Sequence, residues 1–281
     1  MNNEKFVDMH VHTIYSDGTW TPAALVEAAI KKNLAAIAIT DHDSIDGVEE
    51  VLKEAQGKDI EIVAGVELSS FIDGIEPEVH VLGYFLDYQS DYLKKELDIF
   101  RQVRLERAYD MVEKLKMCGV RLKDISFVEN AGRMSVGRLH FAKAILKEGF
   151  VSSIQEAFFK YIGRGKPAYV QKFLLSSADA VKLILKAGGI PVIAHPYYMN
   201  DYNTIKDLTK EGLMGIEVWH TKHNSSAVKT FLKMADELNL IATGGSDCHG
   251  AFGKEHDILG SQRVPYSVFE NLKKAKDNKS L

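Results

Sequence analysis

At 281 residues and 31.4 kDa the chain has room for one α/β barrel or two smaller domains, and 46% hydrophobic with 26% charged residues predicts a soluble globular protein with a sizeable core. A net charge of −4 and a pI of about 6.2 give no whole-protein case for binding nucleic acid or a membrane. Two cysteines exclude a disulfide framework, no apolar run approaches the roughly 18 residues that span a bilayer, and no leader-like segment opens the sequence, so a cytoplasmic protein is expected.

Residues 6–12 alternate apolar side chains with His10 and His12. In a strand, positions i and i+2 project to one face, so both imidazoles leave the same side, with Asp17 close behind. Such a pair seats a divalent metal, or is simply two partly exposed histidines. Thr21 and Pro22 then start a helix as N-cap and first helical residue. Residues 34–39 are apolar throughout, as in strands buried on both faces of a parallel sheet, and end in Thr40-Asp41-His42-Asp43. After a helix over 45–56, a strand over 60–66 ends in Glu67, and another over 79–85 carries His80. Four successive strand regions thus offer metal-capable groups, where barrel active sites are built.

From Asp87 the alternation stops. Residues 92–118 predict one long helix closed by Gly119, followed by helices over 132–149 and 152–161 and the loop Gly163-Arg-Gly-Lys-Pro167. Residues 87–175 hold 17 Lys and Arg against 11 Asp and Glu, which leaves the remainder strongly acidic. A basic helical insertion on an acidic metal-binding unit suits a phosphate-rich substrate, although many such charges only solvate helix faces. Alternation resumes with a helix from Ser177 and a strand ending in His195-Pro196. A strand over 215–220 follows, and a last one over 240–249 presents Asp247 and His249 on one face. Residues 277–281 are expected to fray.

Asp8-x-His10-x-His12, Ser16-Asp17-Gly18, Thr40-Asp41-His42, Gly65-Val-Glu67, His80, Ala194-His195-Pro196 and Ser246-Asp247-x-His249 resemble the metal motifs of the PHP (polymerase and histidinol phosphatase) family, in that family's order. Gly137-Arg-Leu-His-Phe-Ala142, residues 161–169 and Gly215-Ile-Glu-Val resemble its nucleoside 3′,5′-bisphosphate phosphatases, some of whose relatives trim short RNA from the 5′ end. The resemblance implies a distorted (β/α)7 barrel over residues 1–86 and 176–281, with a helical, substrate-binding insertion at 87–175 over its mouth. It further implies that His10, His12, Glu67 and Asp247 hold one metal and that Glu67 bridges to a second held by His80 and His195. Asp17, His42 and His249 would hold a third, while Asp8 and Asp41 accept hydrogen bonds that fix ligand tautomers. An all-nitrogen-and-oxygen set of two or three sites suits Mn²⁺, Fe²⁺ or Zn²⁺ better than Mg²⁺.

Adjacent metals make a bound hydroxide available to attack phosphorus and neutralise the charge that develops on its oxygens. Arg138, His140, Arg164 and Lys166 are the candidates for holding a second phosphate, with Gly163 and Gly165 either admitting an anion to the backbone or forming a plain turn. Arg101, Arg104 and Arg107 line the site or lie on solvated surface. His223 is a candidate for substrate contact or proton donation. His220 is a weaker one, and His256 is expected on the surface. Tyr197 and Trp219 stack on a base or pack in the core. Ser246 and Cys248 are expected to be structural. The activity expected is removal of the 3′-phosphate from nucleoside 3′,5′-bisphosphates. The alternatives are 5′–3′ exonuclease action on short RNA, another small phosphomonoesterase, and a non-catalytic PHP module. The partner is thus a small phosphorylated substrate or short RNA, with no membrane and no obligate protein partner.

Overall fold

A computed structural model of the chain describes residues 4–74, 78–129, 131, 135–172, 174–197, 199, 201–250 and 257–279. His256 falls outside them. The chain forms two compact units, Met1–Lys94 with Leu174–Leu281, and Lys95–Phe173. In the first, β1 (Phe6–Val11), α1 (Pro22–Lys31), β2 (Leu34–Ile39), α2 (Val48–Glu54), β3 (Glu61–Phe71) and β4 (Val79–Tyr84) precede the long α3 (Asp91–Met117), which runs on into the second. Thr21 caps α1 by accepting from the amide of Ala24, and Gly119 follows α3 in the left-handed region at φ 79°.

The second unit continues with α4 (Ser126–Glu129), α5 (Arg138–Lys147), α6 (Ile154–Ala157) and a π-helical turn over Phe158–Ile162. It has its own core, in which Met111, Leu115, Phe141, Ile145 and Ile162 are buried. The first unit resumes with β5 (Leu175–Ser176), α7 (Ser177–Lys186), β6 (Ile190–Ile193), α8 (Tyr202–Lys210), β7 (Gly215–Trp219), α9 (Ser225–Glu237), β8 (Ile241–Gly244), β9 (Val264–Pro265) and α10 (Ser267–Lys279). The expected fraying from Asp277 is thus not seen as far as Lys279, because helix α10 continues through it. Among the described residues no helix is long and apolar enough to cross a membrane.

The strands form one sheet in the order β8-β7-β6-β4-β3-β2-β1-β9, with β5 beside β3. Beyond β8 the chain returns to β1: His12 N donates to Cys248 O and Asp247 N to His10 O, each at 3.0 Å. The sheet is thereby nearly closed into a barrel. Val7, Met9, Ala36, Ala38, Val63 and Val192 pack into a core with Phe269 and Leu272 of α10. This agrees with the α/β barrel that the family resemblance implied.

Two register details differ from expectation. β3 does not end at Glu67 but runs on to Phe71, because Gly65–Ser70 pair antiparallel with β4. β4 alone among the long strands runs against its neighbours, pairing antiparallel with β6 as well. Its first residues therefore lie beside the carboxyl ends of the parallel strands. His80 sits at that start, and its carbonyl accepts from Ala194, next to His195.

Candidate metal centre

Each donor is placed by a local backbone feature. His10 lies in β1 and His12 immediately follows it, on one face as the i, i+2 spacing requires. The segment after β2 continues along β3, with Glu67 N donating to Asp41 O and Asp43 N to Glu67 O, which sets His42 directly beside Glu67. His195 and Asp247 stand just past β6 and β8 with φ of 26° and 57°. The last strand was expected to carry Asp247 and His249 on one face, but β8 stops at Gly244. A left-handed turn at Asp247 follows, and Asp247 and His249 fall in different donor groups. Gly245 permits this close approach, since a Cβ there would meet His10 N at 2.4 Å.

Three sets of donor atoms converge and could hold metal ions: His10, His12, Glu67 and Asp247; His12, Asp17, His42 and His249; and His42, Glu67 and His80. Glu67 is the hub. Its Oε2 lies 3.3, 3.2 and 3.0 Å from His10 Nε2, His12 Nε2 and His42 Nδ1. Its Oε1 lies 2.7 Å from His80 Nδ1 and 3.0 Å from His195 Nε2. Asp247 Oδ1 faces His10 and His12 at 3.4 and 3.2 Å, and Asp17 Oδ1 faces His249 at 3.1 Å. Eight of the nine ligand candidates fall in these groups, whereas His195 meets Glu67 Oε1 but is in none of them. The structure adds that His12 is shared by two groups, and that His42 stands with Glu67 and His80 as well as with Asp17.

The residues fit a cation. His10 Nε2, His12 Nε2, His42 Nδ1 and Glu67 Oε2 are buried and, among the described residues, make no hydrogen bond, although they stand at ion-pair distance. In a neutral His10 ring, Nδ1 carries the hydrogen because it donates to Glu217 Oε1 at 3.0 Å, so Nε2 offers a lone pair to the same place as two carboxylates. Lone pairs so arranged repel unless positive charge lies between them. Without a metal, protons supply part of that charge. Burial pushes His10 and His12 down, yet Glu217, Glu67 and Asp247 outweigh it, raising His10 well above its usual range and His12 to about 10. Burial wins at His42, which falls to about 4. Burial would raise the carboxyls of Asp17, Glu67 and Asp247, but the surrounding imidazoles hold all three well below the usual carboxylate range.

The outer contacts correct the roles expected of Asp8 and Asp41. Asp8 accepts from Ser246 N and Oγ, Gly260 N and His10 N, so among the described residues its bonds fasten backbone and a hydroxyl, with none to an imidazole. Asp41 accepts from Thr13 N and Oγ1 and from Ser16 Oγ, and only through Ser16, 3.4 Å from His12 Nδ1, does it reach a ring. The tautomer-fixing acceptor is Glu217, which sequence reading passed over. It is fully buried, binds His10 Nδ1, and accepts from His195 N at 2.7 Å. An acid within the apolar run Gly215-Ile-Glu-Val-Trp219 was the available signal. His220 is likewise buried: its Nδ1 accepts from Lys222 N, which leaves a hydrogen on Nε2 to face Asp247 Oδ2 at 3.4 Å. Ser246 is structural as expected, and buried Cys248 Sγ receives Trp20 Nε1 at 3.5 Å. Trp219 packs against the core, whereas Tyr197 is 43% exposed.

In the second unit, the Arg138 guanidinium lies 5.7 Å from the ring centres of both Phe158 and Tyr169. His140 Nδ1 accepts from Gly137 N, so Nε2 carries the hydrogen and is a donor. Lys166 lies over Phe159. The glycine loop is a turn: Gly163 N–H is used by Phe158 O, a Cβ on Gly163 would sit 2.5 Å from that oxygen, and Lys166 N returns to Gly163 O. Arg164 rides on it. The arginine row on α3 is not solvated surface throughout, because Arg104 and Arg107 are buried; Arg107 donates to Val170 O, while Arg101 pairs with Asp98.

The sequence model of the PHP domain matches residues 8–116. Across 92% of both chains the sequence is 32% identical to a 3′,5′-nucleoside bisphosphate phosphatase of Chromobacterium violaceum. It is 30% identical to a 5′-3′ exoribonuclease of Haemophilus influenzae, over 92% of this chain and 96% of the other. A structure described as a metal-dependent phosphoesterase, from Bifidobacterium adolescentis, superimposes with a TM-score of 0.84 at 27% identity, covering 95% of each chain.

Proposed function

Because the chain belongs to the PHP domain family, we propose that this metal-dependent phosphoesterase removes the 3′-phosphate of nucleoside 3′,5′-bisphosphates and leaves 5′-nucleotides. The observation that carries the reading is the single buried carboxylate of Glu67, whose two oxygens serve different groups of imidazoles. The ligands are then the nine residues His10, His12, Asp17, His42, Glu67, His80, His195, Asp247 and His249, whose nitrogen and oxygen donors suit Mn²⁺, Fe²⁺ or Zn²⁺. Divalent ions bound to such donors lower the pKa of water and neutralise phosphoryl oxygens.

The chain's own residues do the rest. Glu217 keeps the hydrogen of His10 on Nδ1 and so aims the Nε2 lone pair into the site. His220 donates to Asp247 and leaves the other oxygen of that carboxylate for binding. For the second phosphate we assign Arg138, His140, Arg164 and Lys166. The rings beside the Arg138 guanidinium and the Nε2–H of His140 support that assignment. A second reading, 5′–3′ exonuclease action on short RNA, is favoured by the likeness to the Haemophilus exoribonuclease.

Phosphate and nucleotide release from the Mn²⁺-loaded protein decides between them. Adenosine 3′,5′-bisphosphate, AMP, histidinol phosphate and a 5′-phosphorylated short RNA are compared. The bisphosphate is expected to have the highest kcat/KM and to yield 5′-AMP. Faster mononucleotide release from the RNA would put the exonuclease first, and turnover of histidinol phosphate alone would overturn both nucleotide readings.

A further inference from the structure

The turn after β7 carries a histidine outside the three donor groups whose bonding is incomplete. His223 N donates to His220 O at 3.0 Å, which closes a tight turn and sets the two rings 5.2 Å apart. His223 Nδ1 lies 2.8 Å from Val218 O. A carbonyl only accepts, so the hydrogen is on Nδ1, and Nε2 of the neutral ring can only accept. That Nε2 is buried and makes no hydrogen bond among the described residues, while the residue as a whole is 9% exposed. A buried acceptor without a donor is costly, and the ring is too confined to turn to another partner. Phe231 packs at 4.9 Å on one side, itself buried, and the exposed ring of Tyr197 is stacked at 6.2 Å. Tyr197 follows His195 by two residues, and the charged groups that act on His223 are His220, Glu217 and His195. The His195, His220 and His223 rings follow one another at 5.3 and 5.2 Å, so His223 is joined through His220 to a histidine of the candidate metal centre.

We infer that His223 Nε2 accepts a hydrogen bond from a sugar hydroxyl of the substrate, the ribose 2′-hydroxyl beside the 3′-phosphoester, and so selects ribonucleotides over deoxyribonucleotides. This rests on the nucleotide reading above. This role speaks against proton donation: with the hydrogen on Nδ1 held by Val218 O, the neutral ring has none on Nε2 to give, and burial lowers its pKa. A site built around a hydroxyl rejects the analogue that lacks one, because the acceptor is then left buried and unmet. His223 is thus a specificity residue rather than a proton shuttle.

The test compares kcat/KM for adenosine 3′,5′-bisphosphate with its 2′-deoxy, 2′-fluoro and 2′-O-methyl analogues on the Mn²⁺-loaded protein. The analogues all lack the donor. Each is expected to fall by about tenfold to 100-fold, the range for one unsatisfied buried acceptor. In His223→Phe the preference for the ribo over the deoxy substrate, read as the ratio of their kcat/KM values, should be lost. Wild-type indifference to the 2′ group overturns the inference without needing any variant, and so does a ribo preference that survives in His223→Phe. Both leave the bisphosphatase reading standing. Failure to turn over any bisphosphate, by protein that still hydrolyses p-nitrophenyl phosphate, overturns the nucleotide reading and this inference with it.

Discussion

Glu217 donates no atom to any of the three ligand groups, yet it fixes two of their histidines. One oxygen holds the ring of His10, the other the backbone of His195. Glu217→Gln keeps an acceptor for His10 Nδ1–H but removes the negative charge that favours it, so metal affinity should drop by about tenfold to 100-fold. The check is activity against added Mn²⁺: the variant should need more metal for half-maximal rate, with much of the rate restored in excess. Unchanged metal dependence would reduce Glu217 to packing. At this scale the candidate donors were legible because their side-chain types and their motif order announce the chemistry. Sequence reading missed Glu217 and misassigned Asp8 and Asp41 because who bonds whom depends on contacts across the barrel. Asp8 and Ser246, for instance, meet over a separation of 238 residues.

Helices and strands were legible where composition and local rules agree. The Thr21-Pro22 start of α1 and the wholly apolar β2 are cases. Strand direction was not. Nothing local in Val79–Tyr84 tells that β4 runs antiparallel, and this reversal is what brings His80 to the same end of the barrel as His195. Nor does a strand pattern reveal that Asp247 lies in a left-handed turn. That turn depends on Gly245 lying against β1. Gly245→Ala would force a methyl to within 2.4 Å of His10 Cβ and backbone nitrogen, neither of which can yield without moving a ligand. A loss of about 1–3 kcal/mol in unfolding free energy is expected, as for other overpacking changes, together with reduced bound metal. Denaturant unfolding and metal analysis of the purified protein would measure both, and a variant with wild-type metal content would refute the close-approach reading.

For the molecule as a whole, the metal-free site carries opposed pH dependences. His12, raised to about 10, contributes stability that is complete below its ordinary 6.5 and is lost as pH rises through 10. His42, lowered to about 4, has its stability in place above 6.5 and loses it as pH falls towards 4. The Tm of metal-stripped protein should therefore be highest near pH 6.5 and fall on both sides. Metal must displace the proton on His12, so its affinity should rise with pH from 6.5 and its binding should release protons, seen by calorimetry in buffers of different ionisation enthalpy. A flat Tm profile with no proton release would contradict this electrostatic picture. The division of the chain into two units, each with its own core, has a sequence trace in the interruption of strand–helix alternation and in the basic surplus of residues 87–175.

The barrel has a seam. Where β1 meets the segment after β8, the described residues show an isolated bridge between Val11 and Cys248, flanked by a few backbone bonds. His10 and His12 stand on one side of that seam, Asp247 and His249 on the other. In polymer terms, an ion gripped by both sides is a removable cross-link that closes a loop of roughly 240 residues, and a cross-link on that contour length restricts the unfolded chain by up to on the order of 5 kcal/mol. The ions proposed for catalysis would then also be the clasp of the barrel, and chelation would open the molecule along one line before it unfolded the rest.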